Sequence, residues 1–132
     1  MPIPGLIADA DISANQFEAV KMKGTTEKFE VAAISGTGDM AIGILQNDPN
    51  AAGQAAEVAG PGEVAKARYG GAVNCGDQLV VDADGELIAE TEDNDATHLH
   101  DTWMIAIALE DGADQEVHKV LVVGPIHLAS ST

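Results

Sequence analysis

His98 and His100 stand one residue apart, spaced to project from one side of a strand, and Asp93, Asp95 and Asp101 lie close by in sequence. These are ligand types for a divalent metal, but zinc and iron sites need a third and fourth ligand fixed by the fold. The segment reads as an acidic loop, so solvated loop residues are the expectation. The run VVDADGELIAET around Asp82 and Asp84 has the flavour of a calcium loop. Its register fails: placing Gly85 at the invariant glycine of an EF-hand puts Val80 at the first ligand position and Thr91 at the last, where a carboxylate is required. A hairpin turn explains these residues. Ser35, Gly36, Thr37 and Gly38 are glycine-rich like a phosphate loop, yet no Gly-Lys-Ser/Thr follows. Cys75, in VNCGD, has no histidine near it in sequence and reads as a small buried thiol. His118 and His127 are isolated, and Trp103, inside an apolar run, reads as core. Carboxylates are so numerous that pairing any two as acid and base carries no weight. No catalytic residue, metal site or cofactor is expected.

The chain has 132 residues, suited to one domain with a real core. Only Phe17, Phe29, Tyr69 and Trp103 are aromatic, so that core must be aliphatic, and an aromatic-lined enzyme or sugar pocket is disfavoured. Acidic residues number 22 against 6 basic ones, for a formal net charge of −16. Such a chain repels nucleic acid, because phosphate neutralisation needs clustered Lys and Arg. The charge is uneven. Residues 1 to 68 hold nine acids and five bases, Lys21, Lys23, Lys28, Lys66 and Arg68, while residues 69 to 132 hold thirteen acids and only Lys119. One reading is a mixed-charge side for docking and an acidic side facing water; the other is simply an acidic soluble protein, as from a saline source. The lone cysteine makes no internal disulfide. No secretory pattern opens the chain and no apolar stretch nears the ~20 residues of a membrane span, so synthesis in a cytoplasm is expected.

The elements that would position these residues are short. Met1 to Ser13 reads as an extended arm, since Pro2 and Pro4 exclude a helix; either it frays, or its apolar Ile3, Leu6, Ile7 and Ile12 meet a partner, with Ile3, Leu6 and Ile7 filling pockets there. From Phe17, alternation places Val20 and Met22 opposite Lys21 and Lys23. It continues with Phe29, Val31 and Ala33 against Lys28 and Glu30, and with Met40, Ile42 and Ile44 on one face. Asn50 to Ala59 reads as a loop entering a strand, followed by a strand over Glu63 to Tyr69. A hairpin over Gln78 to Glu90 turns at Asp84-Gly85, a pair suited to positive φ. Strands over Thr102 to Leu109 and Glu116 to Val123 follow. Short strands at intervals near ten residues predict an all-β fold, a small β-sandwich or partly open, tulip-like β-barrel. One β domain would span residues 14–125, with the arm at 1–13 and a tail at 126–132.

The order of these cues resembles the capsid decoration, or cement, proteins of tailed bacteriophages. It is carried by GILQNDPNAAGQAAEVAGPGEVAKAR from Gly43 to Arg68 and AVNCGDQLVVDADGELIAE from Ala72 to Glu90. It continues in MIAIAL from Met104 and VHKVLVV from Val117, and covers Phe17 to Pro125. The resemblance implies a non-enzymatic protein that binds the outer surface of the expanded capsid between capsomers and stabilises it. The major capsid protein would be its partner, and a homotrimer its assembly, with a dimer at twofold positions open. The arm and the basic residues Lys21, Lys23, Lys28, Lys66 and Arg68 would form the contacts. A different reading of the same charge is an acidic DNA mimic that inhibits a nucleic-acid-binding protein.

Overall fold

Aliphatic residues alternating with polar ones, and broken by Gly, Asp and Pro, build ten strands among the described residues. The structure is a computed structural model and describes residues 3–23, 29–36, 39–90 and 102–128. The strands are β1 (Ile7–Ala8), β2 (Ala19–Met22), β3 (Glu30–Ala33), β4 (Ala41–Leu45), β5 (Val58–Ala59), β6 (Val64–Arg68), β7 (Gln78–Val81), β8 (Leu87–Ala89), β9 (Thr102–Ala108) and β10 (Val117–Leu128). The first half of the chain makes one five-stranded sheet, ordered β1-β3-β2-β4-β5. The second half makes another, ordered β6-β10-β9-β7-β8. The expected all-β architecture is therefore the observed one.

Two apolar cores explain why so many strands lack a solvent face. One lies between the sheets and joins Ala19, Ala41, Ile44 and Ala59 of the first to Leu79, Leu87, Ile105, Val120 and Val122 of the second. The other is enclosed by the curl of the first sheet and holds Leu6, Ala8, Ile12, Val20, Val31, Leu45 and Val58. Neighbouring residues of one strand thus enter different cores, as Ala19 and Val20 do on β2. Strands buried on both faces replace clean alternation with continuous apolar runs.

The arm is corrected by this second core. Leu6 is 6% exposed and Ile12 is also buried, Ile3 packs against the same cluster, and Ile7 is half-buried. β1 runs parallel to β3 on one side. On the other, Ile3 N–H donates to Val58 O (2.9 Å), Ala8 N–H to Gln54 O (2.9 Å), Gly53 N–H to Ala8 O (2.9 Å) and Ala56 N–H to Leu6 O (3.0 Å). Ile3, Leu6, Ile7 and Ile12 therefore belong to the domain's own fold, and no free arm reaches a partner through them. The second sheet closes likewise at one end, where Tyr69 bridges to Leu87 in the parallel sense and Gly70 N–H donates to Leu87 O (2.8 Å).

Four local expectations also change. Met40, Ile42 and Ile44 do not share a face, because the β2–β4 register slips between Val20↔Gly43 and Lys21↔Ala41; the extra residue sends Ile42 to the enclosed core and Ile44 to the other. Phe29 takes a positive φ of 64° and is 60% exposed, so it leaves the face that holds Val31. The β7–β8 hairpin closes at Val81↔Leu87, so its loop runs over residues 82–86, and within it only Gly85 has positive φ (90°). At the other end of the chain, Ile126, assigned to a tail, lies in β10 opposite Met104. Phe17, at φ 70°, ties the sheets together: its N–H donates to Leu45 O (2.7 Å) and its carbonyl accepts from Arg68 N–H (2.8 Å).

Candidate functional site

The basic residues separate into two groups. Lys21 on β2 is committed internally, with Nζ 2.6 Å from Ser35 Oγ and 2.9 Å from Asp39 Oδ2. Asp39 Oδ2 also accepts from Ser35 N–H (3.0 Å) and Gly36 N–H (3.2 Å), so the glycine-rich segment cradles the protein's own carboxylate where a phosphate would sit. The Lys21 hydrogen bond, then those from the Ser35 N–H and hydroxyl, pull the Asp39 pKa down to about 2. Lys23 lies 3.5 Å from Asp9 Oδ2, and Lys28 lies outside the described residues.

The other group shares the outer face of the second sheet. Along β6, Ala65 and Ala67 are buried while Val64, Lys66 and Arg68 point outward, Val64 being 60% exposed. β10 pairs Leu121 with Val64, Lys119 with Lys66 and Val117 with Arg68. Lys119, the single base of the acidic half, thus stands directly across from Lys66. Like charges opposite each other in a ladder are unfavourable. Neither ammonium enters an ion pair among the described residues, whereas Arg68 lies 3.8 Å from Glu18 Oε2 and donates to Gln115 O (3.3 Å). Next to Leu121, Ile107 of β9 extends the aliphatic part of this face. The result is a basic and aliphatic patch on a strongly acidic protein. Sequence spacing pointed to Lys66 and Arg68 but missed Lys119, because only the antiparallel register brings it there.

Glu18, beside Arg68, is 9% exposed. Burial raises its pKa, a hydrogen bond from Asn15 opposes this, Glu86 raises it further, Arg68 lowers it and Asp82 adds a last upward push. His118 stands between Glu110 (3.5 Å) and Glu116 (3.0 Å), and the hydrogen bond to Glu116 is the main reason its pKa is raised. Cys75 corrects an expectation: the thiol is exposed and donates to Leu109 O (3.4 Å), while the Cys75 N–H donates to Asp111 Oδ1 (2.6 Å). His98, His100, Asp93, Asp95 and Asp101 lie outside the described residues.

No protein-family model matches the chain, and no curated protein sequence matches it significantly. Among solved structures, it is similar to the N base of head fiber gp8.5 from bacteriophage phi29. The TM-score is 0.60 at 12% sequence identity, with 95% of each chain covered. At that identity the likeness is one of fold.

Proposed function

We propose that the chain is a non-enzymatic structural protein of a bacteriophage head, docked on the outer surface of the expanded shell between capsomers and stabilising that state. The observation that carries this reading is the fold likeness, over 95% of both chains, to the base of a phage head fibre. The net charge of −16 favours the outside of the particle, away from packaged DNA. Docking uses the outer face of β6 and β10, with Val64 and Leu121 as apolar contacts and Lys66 and Lys119 as cations. The major capsid protein supplies the opposing surface, over an ordinary interface of about 1,200–2,000 Å². A homotrimer is the proposed assembly, on the family resemblance alone.

Stabilisation follows from linkage. A protein that binds the expanded shell better than its precursor favours the former by RT ln(1 + [L]/Kd) per site, about 2.7 kcal/mol at one hundred times Kd. Many weak clasps over a lattice then act together. The test is co-sedimentation of the purified chain with expanded and precursor heads of its phage. Binding to expanded heads, lost in the Lys66→Glu/Lys119→Glu double variant, is expected. Absence of the wild-type chain from expanded heads, together with salt-sensitive capture of a basic DNA-binding protein, would overturn the reading in favour of the DNA mimic.

A further inference from the structure

The backbone edge of β6 beside Lys66 is already occupied from within the chain. The Gln46 side chain takes both main-chain groups of Lys66: Nε2 donates to Lys66 O (2.9 Å) and Oε1 accepts from Lys66 N–H (3.1 Å). Two residues on, Arg68 N–H donates to Phe17 O (2.8 Å). A partner cannot lengthen the sheet by adding a strand there, so recognition has to use the side chains of its outer face.

Those side chains are of two kinds. Val64, 60% exposed, stands across from Leu121, and Leu121 across from Ile107 of β9. Leu109, 41% exposed, continues this face: Ala108 before it points into the core, and the Leu109 N–H donates to Lys119 O (3.1 Å). Among these aliphatics Lys66 and Lys119 are exposed and directly opposed, a placement that holds Cβ atoms about 4.5–5.5 Å apart and disfavours like charges. Arg68 is engaged by Glu18 and Gln115 O. Glu110 comes near Lys119, but its Oε1 accepts the Lys119 N–H (2.7 Å) and faces His118 (3.5 Å). The two ammonium groups are thus held together without a carboxylate between them among the described residues.

Charge decides what covers this face. A second copy packed face to face would set the same lysine pair against itself, and each copy brings a net charge of −16. We infer that the face recognises a carboxylate-bearing protein surface, with one Asp or Glu side chain of the partner bridging Lys66 and Lys119 and aliphatic side chains covering Val64, Leu121 and Leu109. A carboxylate placed there accepts from two charged donors and removes their mutual repulsion, and the aliphatic surround keeps water from screening it. This inference rests on the reading of the chain as a phage head protein, and it specifies the chemistry of the shell site: acidic at its centre and apolar beside it.

Co-sedimentation of the whole chain with expanded heads, read as Kd, tests it on both sides of the contact. Lys66→Gln/Lys119→Gln should bind at least 10-fold more weakly, while its Tm in the free state is no lower than that of wild type, because an unfavourable pair is gone. Ala51→Glu/Ala52→Glu shifts the net charge by the same amount in an exposed loop and should bind within about twofold of wild type. Heads whose carboxylates are amidated with carbodiimide and glycinamide, and shown intact by electron microscopy, should bind wild type as weakly as native heads bind the glutamine variant. Wild-type binding to native heads that survives either the glutamine pair or amidation would overturn the bridging carboxylate and leave the head-protein reading in place. No wild-type binding to native expanded heads would overturn both.

Discussion

The imidazole of His118 stacks on the ring of Tyr69, with centroids 5.2 Å apart and planes inclined by 29°. Tyr69 is fully buried and its hydroxyl donates to Glu110 O (2.9 Å), so the stack anchors the end of β10 over the loop that holds Glu110 and Glu116. His118 gains its partner in the folded state and its pKa is raised, chiefly by Glu116. Its stabilising contribution is therefore complete below the unfolded value near 6.5 and is lost as pH rises through the higher folded value. An NMR titration should place His118 above 6.5, and Glu116→Gln should move it down. An unchanged midpoint in that variant would remove Glu116 as the cause.

Gly112 lies beneath this stack. A Cβ there would collide with His118 Cδ2 and come within 2.6 Å of two ring atoms of Tyr69. Gly112→Ala should cost about 1–3 kcal/mol by overpacking. Gly36→Ala, where a Cβ meets nothing within 4 Å, should stay within about 0.5 kcal/mol of wild type. Urea denaturation of the two variants measures the contrast.

Leu6 seals the enclosed core. Leu6→Ala should lose about 2–5 kcal/mol, the range for truncating a buried leucine. Deleting residues 1–13 should lose more, because Ala8, Ile12 and the hydrogen bonds to Gln54, Ala56 and Val58 go with it. Chemical denaturation of both variants checks this. A truncated chain as stable as the full one would show that the arm lies elsewhere in solution.

Asp39 governs an acid limb. Its folded pKa of about 2 lies below the ordinary 3.8, so its stabilisation is present above 3.8 and disappears as pH falls towards 2. Partial exposure limits the effect to about 1 kcal/mol. The stability difference between wild type and Asp39→Asn should be largest at neutral pH, shrink below about pH 4 and be lost as pH falls through 2, as followed by urea midpoints.

The second sheet was legible in the sequence because its strands carry strong local signals. Ala65 and Ala67 alternate with Val64, Lys66 and Arg68, and Gly-Asp and Asp-Gly punctuate β7 and β8. The first sheet was less so. Leu6 and Ile12 are equally apolar whether they fill a partner's pocket or their own core, and composition cannot distinguish the two. The slip at Ile42 leaves no mark in a run of aliphatics. The basic and aliphatic patch was half legible for the same reason: Lys66 and Arg68 share a strand period, whereas Lys119 joins them only through pairing.

Because the outermost strands of the first sheet, and one end of the second, find partners within the same molecule, fewer backbone donors and acceptors among the described residues remain to template a foreign strand. Such a protein should resist fibril-like self-association even at high concentration. Its associations must then rest on side chains, where one substitution can retune affinity without disturbing the scaffold.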